Sequence, residues 1–415
     1  MSKLIKYKFS DLYEMSSGIS SSKQQAGHGS PFISFSTVFN NYFLPEELPD
    51  LMDTSLKEQE IFSVKKDDVF ITRTSETVDA LAMSCVAVKD YPKATFSGFV
   101  KRLRPKTTGI VYSKYIAFFL RSKYFRKVLD CNTIMTLRAS FNEDMFSFLY
   151  LYLPDYEEQV RIGDLLYKME MKIRTNNKIN DNLEQQAKLI YDYWFTQFDF
   201  PDENGKPYCS SGGKMVWNEQ LKRNIPENWN VVPLLKLVSW ESNSQPPKSE
   251  FVYEPKEGYV RFIQNRDYDS DTHITYIPRT KNLSIVDRFD ILMDKYGDAG
   301  AVRYGIEGAF NVALGKICVH NPNYREYIRS FLGSDGIYKF LHNSCMASTR
   351  ASLSEANLAI LNIVVPNEKI ILDYENFLHK IRVSILKNKD ETVELINLRD
   401  WLLPMLMNGQ ATIAD

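Results

Sequence analysis

The fold is decided by the stretch 154–198, which reads PDYEEQVRIGDLLYKMEMKIRTNNKINDNLEQQAKLIYDYWFTQF. Its apolar residues recur at alternating steps of four and three, the spacing that lines one face of an α-helix against a partner helix. The stripe comprises Ile162, Leu166, Met169, Ile173, Asn176, Asn180, Leu183, Ala187, Ile190 and Trp194. The stretch therefore predicts one long amphipathic helix.

A similar stripe returns 212 residues later without a gap. Its members are Tyr374, Leu378, Ile381, Ile385, Asn388, Thr392, Leu395, Arg399, Leu402 and Leu406. Shorter identities keep the same offset, since Arg138-Ala139-Ser140 returns as Arg350-Ala351-Ser352. We infer that the chain contains the same unit twice, and that each copy is a β-rich domain followed by a long helix.

The two stripes predict an antiparallel coiled-coil pair related by a pseudo-twofold axis, because both helices belong to one chain and each needs an apolar partner. A helix of about 40 residues is roughly 60 Å long, which spans several turns of B-DNA. Asn176 and Asn388 take equivalent places in the stripe. They either fix the register of the pair or form a water-exposed gap in it.

The remaining pattern predicts an α+β fold with two β-rich globular domains. In the first domain we expect strands over Ser30–Val38, Asp68–Thr72, Ser84–Val88 and Phe96–Leu103, and a helix over Tyr112–Leu129. In the second we expect strands over Tyr259–Ile263, Asp290–Met293 and Phe310–Leu314. The resulting division is 1–153 and 230–365 for the domains, 154–198 and 366–408 for the helices, 199–229 for a connector without periodicity, and 409–415 for a tail.

Composition restricts the function only weakly. The 415 residues include 51 Lys and Arg against 52 Asp and Glu, so the net charge gives no support for nucleic-acid binding. The five cysteines are far apart, which argues against disulfides and a zinc site. The chain has neither an apolar run of membrane-spanning length nor the pattern of a signal peptide. We expect a cytoplasmic protein that does not enter a membrane.

A block of basic residues with no acidic one lies between Lys93 and Lys127. Its members are Lys93, Lys101, Arg102, Arg104, Lys106, Lys114, Arg121, Lys123, Arg126 and Lys127. The block predicts either a surface that follows DNA phosphates or a solvated face whose charge is balanced by acidic residues elsewhere.

Catalytic sequence motifs give no support for an enzyme. The stretch Asn321–Tyr324 is close to an amino-methyltransferase signature, but no glycine-rich turn for a nucleotide-like cofactor accompanies it. The sequence also has no phosphate-binding loop for ATP and no paired histidines for a metal. We therefore expect no catalytic residues, no metal site and no cofactor-binding site on this chain.

Several motifs resemble those of type I restriction-modification specificity subunits. The central ones are YDYWFTQFDFP at 191–201, GKPY at 205–208, SGGKM at 211–215 and IPENW at 225–229. The sequence LRDWLLPMLMNGQ at 398–410 is similar to the C-terminal conserved region of that family. The order of these motifs and the two-fold repeat extend the resemblance over essentially the whole chain.

The resemblance implies a non-catalytic subunit for host defence that recognises bipartite double-stranded DNA, with one half-site per target recognition domain and the spacer set by the helices. It also implies two methyltransferase subunits that bring S-adenosylmethionine, and two restriction motor-nuclease subunits that bring ATP and magnesium. The alternatives are a helical scaffold that does not read DNA and a fused restriction-methylation enzyme, which would need a methyltransferase core.

Candidate DNA contacts follow from the types of side chain that bind phosphates and base edges. In the first domain they are Lys23, Arg73, Thr74, Ser75, Lys101, Arg102, Arg104 and Arg138. In the second domain they are Gln264, Asn265, Arg266, Lys295, Tyr296, Arg303, Lys316 and Arg350. The alternative for each is an ordinary surface charge or a local salt bridge.

Overall fold

The computed structural model of the chain describes residues 4–20, 22–75, 81–132, 139–269, 273–346 and 352–413. The chain forms two compact units. The first comprises Met1–Thr175 with Glu391–Asp415, and the second comprises Asn176–Asp390. Each unit therefore combines one β-rich domain with parts of both long helices. The division into six segments stays a prediction from the sequence.

The first unit consists of short strands and helices that lead into a long helix. Its strands are β1 (Ile5–Lys8), β2 (Tyr13–Ser17), β3 (Ala26–Ile33), β4 (Asp50–Met52), β5 (Val69–Thr72), β6 (Thr74–Ser75), β7 (Ser84–Val86), β8 (Thr95–Phe96), β9 (Val100–Pro105), β10 (Ala139–Ser140) and β11 (Tyr150–Leu153). Its helices are α1 (Phe9–Leu12), α2 (Phe35–Asn40), α3 (Leu56–Ile61), α4 (Ser113–Phe119), α5 (Lys123–Asn132), α6 (Glu143–Phe148) and the first part of α7 (Tyr156–Tyr191).

Two sheets form the centre of this domain. One is antiparallel, with strand order β2-β9-β5-β7, and the other has the order β4-β3-β8, with β3 and β8 parallel. All four residues of β5 are buried, because apolar side chains cover both faces of this central strand. Strands β1 and β11 pair antiparallel, with Ile5 opposite Leu153, just before α7 begins.

The second unit starts inside α7 and repeats this arrangement. Helix α7 ends in a π-helical turn over Asp192–Thr196. The following strands are β12 (Met215–Asn218), β13 (Arg223–Pro226), β14 (Asn230–Pro233), β15 (Val238–Glu241), β16 (Tyr259–Ile263), β17 (Tyr276–Pro278), β18 (Ile285–Val286), β19 (Ile291–Asp294), β20 (Val302–Arg303), β21 (Gly308–Phe310), β22 (Leu314–Val319) and β23 (Asn362–Val365). The helices are α8 (Arg325–Leu332), α9 (Asp335–Met346), α10 (Glu355–Ala359) and α11 (Glu368–Met407), whose last turns belong to the first unit.

The sheets of the second domain correspond to those of the first. The order β15-β22-β19-β20 matches the antiparallel sheet around β5, and β16 pairs parallel with β21 as β3 does with β8. Strands β14 and β23 pair antiparallel before α11, in the place of β1 and β11 before α7. The α+β class and the internal repeat are therefore confirmed.

Helices α7 and α11 run antiparallel within each unit. In the first unit Lys172 pairs with Glu391, and Glu170 pairs with Arg399. In the second unit the amide of Asn388 donates to Asn180 Oδ1 at 2.9 Å. Asn176 is 1% exposed and Asn388 is half-buried, so the alternative of a water-exposed gap at these two residues is wrong. These amides bridge the two helices, which favours a role in fixing their register.

Several predicted boundaries need correction. The predicted strand Ser30–Val38 ends at Ile33, because Ser34 caps α2 by accepting the N–H of Thr37. The predicted helix Tyr112–Leu129 is two helices, because Ser122 accepts the N–H of Phe125 and starts a new turn. The predicted strand Phe96–Leu103 is interrupted by a turn after β8. The connector 199–229 contains the β12–β13 hairpin.

Two further expectations concern cysteines and membranes. The five cysteines are unpaired, and Cys85 and Cys345 are buried. Among the described residues, no helix has the length and apolar character required to cross a membrane.

Candidate nucleic-acid interface

A cation follows the central strand of each domain. Arg73 comes directly after β5, and its N–H donates to the carbonyl of Phe99 at 2.8 Å. Its own carbonyl accepts the N–H of Phe141 at 2.8 Å. The backbone of Arg73 is thus fixed on both sides while its side chain is exposed. This is a suitable way to present a positive charge on a rigid edge.

Lys295 is held in the same way in the second domain. It follows β19, its N–H donates to the carbonyl of Ala313 at 2.8 Å, and its carbonyl accepts the N–H of Leu353 at 2.9 Å. The neighbouring Tyr296 is 49% exposed. Since Leu353 is Phe141 plus 212, the repeat preserves this strand end as well as the helices.

Lys101 adds positive charge near Arg73. Its ammonium donates to Ser17 Oγ at 2.8 Å, and the residue is 8% exposed. Burial lowers the pKa of Lys101, and the nearby charge of Arg73 lowers it further. Two neighbouring cations would interact favourably with an anionic ligand such as a DNA phosphate. Thr74 and Ser75 lie next to Arg73 in β6, where both are half-buried.

Arg104 and Lys316 have internal partners. Arg104 forms two hydrogen bonds to Asp68, at 2.6 and 2.7 Å, and Asp68 is fully buried. Lys316 pairs with Asp290 at 2.9 Å. By strand register Lys316 corresponds to Arg102, since it lies opposite Leu292 of β19 as Arg102 lies opposite Phe70 of β5. In both domains the acid directly precedes the central strand. The two ion pairs support a structural role for Arg104 and Lys316, which is the alternative that the sequence left open for these two residues.

Arg102 and Arg303 also bind partners within their own domains. Arg102 is 9% exposed, donates to the carbonyl of Ser63 at 2.6 Å, and lies over the ring of Phe96. Burial lowers the pKa of Arg102, and its neighbour Arg104 adds to that effect. Arg303 pairs with the buried Asp294 at 2.8 Å.

Three other candidates in the second domain follow β16. Gln264 donates to Thr275 Oγ1 at 3.0 Å, whereas Asn265 is half-buried and Arg266 is exposed. In the first domain, Lys23 is exposed in a short 3-10 turn over Lys23–Gln25. Direct DNA contact by any candidate stays a prediction, and Arg138 and Arg350 lie outside the described residues.

The basic block between Lys93 and Lys127 is not one continuous exposed surface. Besides Lys101, Arg102 and Arg104, Arg121 uses its guanidinium to bind backbone carbonyls of Val38, Phe39, Asn41 and Ser84. Lys114 pairs with Asp164 at 2.8 Å. These charged side chains largely stabilise the first domain. Their partners are far away in the sequence, so no local sequence pattern indicates this role.

The sequence interpretation missed two exposed apolar residues beside the strand-end cations. Phe99 is 66% exposed and Val312 is 41% exposed. Each lies in the turn whose backbone binds Arg73 or Lys295. The small and polar residues Ser97, Gly98 and Asn311 could have indicated these turns, but the apolar residues around them suggested continuous strands.

Comparison with known proteins identifies the family of this chain. A family model described as "Type I restriction modification DNA specificity domain" matches residues 2–185 and again 226–400. The MjaIX specificity subunit of a type I restriction enzyme from Methanocaldococcus jannaschii is 23% identical, over 80% of this chain and 76% of that protein. The corresponding HindI specificity subunit from Haemophilus influenzae is 23% identical, over 91% of this chain and 94% of that protein.

A solved structure has the same fold. It is the crystal structure of a type I restriction-modification system S subunit from M. genitalium, with a TM-score of 0.65 and 13% sequence identity. The match covers 98% of this chain and 96% of the other. Because the family model matches most of the chain, one copy in each half, this protein belongs to the type I restriction-modification DNA specificity domain family.

Proposed function

We propose that this chain is the DNA sequence-recognition subunit of a type I restriction-modification complex, and that each domain reads one half of a bipartite target. The observation that carries the proposal is the double match to the specificity domain family, at 2–185 and 226–400. The strand-end cations Arg73 and Lys295 support it, because each domain presents one on the same backbone framework. Such cations suit base or phosphate contacts.

We further propose that the pair of long helices sets the spacer between the half-sites. Helix α7 has 36 residues and α11 has 40, and both contribute to both compact units. The asparagine contacts between Asn180 and Asn388 would keep the register of the pair constant, which a fixed spacer requires.

The chemistry is proposed to reside on partner subunits. Two methyltransferase subunits would bring S-adenosylmethionine, and two restriction motor-nuclease subunits would bring ATP and magnesium, while this chain itself is not an enzyme. Exposed apolar residues on the long helices support docking of partners. In the first unit these are Leu398 and Trp401, and in the second they are Leu189, Phe377 and Val383.

The test is co-expression of the chain with its methyltransferase subunit, followed by methylation mapping of the host genome. We expect methylation at a split motif with a constant spacer, which disappears when this chain is omitted. A scaffold without DNA readout would instead give assembly without any sequence motif in the methylated sites. The purified chain alone should neither methylate nor cleave DNA.

A further inference from the structure

We propose that Phe99 and Val312 are specificity-determining residues, each contacting the methyl group of a thymine in its half-site. The inference rests on the proposed function, because it assumes that each domain binds DNA. It adds an apolar contact to the cations that the sequence had singled out.

In the first domain Phe99 lies in a tight turn between β8 and β9. The N–H of Ser97 donates to the carbonyl of Ile33 at 3.0 Å, and the Ser97 hydroxyl accepts the N–H of Phe99 at 3.2 Å. The carbonyl of Phe99 accepts the N–H of Arg73. The turn is therefore bonded to two neighbouring strand ends, and it places Phe99 next to the exposed cation.

The second domain builds the same turn between β21 and β22. The N–H of Asn311 donates to the carbonyl of Ile263 at 2.9 Å, and the Asn311 side chain accepts the N–H of Ala313 at 3.0 Å. The carbonyl of Ala313 accepts the N–H of Lys295. Each of these three hydrogen bonds has its counterpart in the first domain, so the turn is a duplicated structural element.

The exposed side chain differs between the copies. The first turn carries Gly98 followed by Phe99, and the second carries Val312 followed by Ala313. A Cβ added at Gly98 would come within 3.0 Å of the carbonyl oxygen of Ile19, so the first turn presents its apolar group one residue later. The framework is shared, whereas the size and position of the apolar group are specific to each domain.

A single exposed apolar residue is ordinary on a protein surface. Here an apolar group occurs in both domains, on a turn held by the same hydrogen bonds, and beside a strand-end cation in each. Thymine presents a methyl group in the major groove, where apolar side chains make contact with it, while Arg and Lys bind guanine or phosphate oxygens nearby. A rigid turn carrying both groups matches that combination of chemistry.

The experiment uses the full chain together with its methyltransferase subunit. Binding-site selection from random-sequence duplex DNA first identifies both half-sites for the native protein. Affinities are then measured with duplexes in which each thymine of the target is replaced singly by deoxyuridine, which removes only the methyl group. For the native protein we expect one such replacement in each half-site to weaken binding by roughly fourfold, the effect of one buried methyl-sized group.

The variant Phe99→Ala should lose this sensitivity, because the methyl group no longer has an apolar partner. Phe99→Leu should keep part of it, which separates an apolar contact from a loss of folding. Val312→Ala should abolish sensitivity at a thymine of the other half-site only. The matched control is Phe148→Ala, since Phe148 is also an exposed phenylalanine of the first domain, at 75% exposure.

An equal response to deoxyuridine in the native protein and in Phe99→Ala would overturn the inference. So would a native protein that is insensitive to every replacement. Both results leave the proposed function intact, since a bipartite motif would still have been selected. Failure of the native protein to select any bipartite motif would instead contradict the proposed function itself.

Discussion

The carboxylate of Glu170 on α7 lies 3.0 Å from the guanidinium of Arg399 on α11, and the two side chains are only 10% and 12% exposed. In the second unit Glu184 on α7 pairs with Arg382 on α11. Arg382 is Glu170 plus 212, so equivalent positions of the repeat carry opposite charges. In both units the acid lies on α7 and the arginine lies on α11. Packing of α7 against α11 therefore brings opposite charges together in both units.

Reversal of one of these charges should destabilise the first unit. In Arg399→Glu, Glu170 would face a second carboxylate in a nearly buried place, and we expect a loss of about 2–4 kcal/mol in the free energy of unfolding. The exchange Glu170→Arg with Arg399→Glu should recover at least half of that loss. Urea unfolding of both variants and of Glu170→Arg measures the coupling, and strictly additive losses would contradict a direct ion pair.

Arg73 should be a base contact rather than a phosphate contact alone. We expect Arg73→Ala to weaken specific DNA binding by about 1–3 kcal/mol and Arg73→Lys to remove base preference at one position, because lysine keeps the charge but not the planar pair of donors. The measurement is fluorescence anisotropy with specific and random duplexes over a series of salt concentrations. Lys57→Ala serves as control, since Lys57 is an exposed cation on α3.

If Arg73 binds only a phosphate, both duplexes lose affinity equally in Arg73→Ala, the salt slope falls by about one, and Arg73→Lys behaves like the native protein. That outcome would keep DNA binding but remove base readout by this residue.

The acids that precede the central strands should matter to different degrees. Asp68→Asn would leave Arg104 without its full partner at a buried site, and we expect it to destabilise the first unit by about 2–3 kcal/mol. Asp290→Asn should cost about 1 kcal/mol or less, because the Asp290–Lys316 pair is more accessible at the acid, with 19% exposure against 0% for Asp68. Chemical denaturation compares the two, and equal losses would show that burial of the acid is not the deciding factor.

The carboxyl group of Glu375 should make the free energy of unfolding depend on pH. Burial raises the pKa of Glu375 to about 7, although its carboxylate accepts the N–H of Glu326 at 2.8 Å. The folded state binds the proton of Glu375 more tightly than the unfolded state does. The stabilisation that this proton provides is therefore fully present below about pH 4.5 and is lost as the pH rises through about 7.

The comparison is between the native protein and Glu375→Gln, whose amide oxygen can accept the same hydrogen bond. We expect the variant to be more stable at pH 8 by about 1 kcal/mol, a value reduced for partial exposure of the side chain, and the difference to vanish near pH 4.5. Urea unfolding across this range measures it. A difference that does not change with pH would exclude titration of Glu375 as its source.

Lengthening both long helices should change the DNA spacer. Seven residues inserted after Thr175 and seven after Asp390, at the boundary between the compact units, add about 10 Å to each helix, or about three base pairs. Methylation mapping should find the same half-sites with a longer spacer. Seven residues inserted after Gly212, in an exposed turn of the connector, should leave the spacer unchanged. Altered half-sites with an unchanged spacer would contradict the role of the helices.

The long helices could be predicted from the sequence because their apolar period continues over many turns and is repeated at a fixed offset. Short strands gave a weaker signal, as the segment after Ile33 illustrates. Phe35 and Val38 favour a strand by propensity, but the hydrogen bond from the Thr37 N–H to the Ser34 hydroxyl starts a helix there.

The candidate interface was less predictable, because the use of a charged residue depends on distant partners. Arg104 and Asp68 are 36 residues apart, and Lys101 reaches Ser17 across 84 residues. The sequence shows that Arg104 and Lys101 are basic, but it does not show which basic residues bind partners within the protein. The strand-end positions of Arg73 and Lys295 were predictable because the end of a buried strand is recognisable, whereas the turn that carries Phe99 resembled part of a strand in the sequence.

In the turns beside Arg73 and Lys295, the exposed side chains of Phe99 and Val312 take no part in the hydrogen bonds that fix each turn. The N–H and C=O groups of Phe99 and Ala313 make the bonds, and neighbouring Ser97 and Asn311 supply the side-chain acceptors. An exposed residue at this place can therefore be exchanged with little effect on folding. New target sequences could evolve here by one or two codon changes, while the rest of each domain remains under selection for stability.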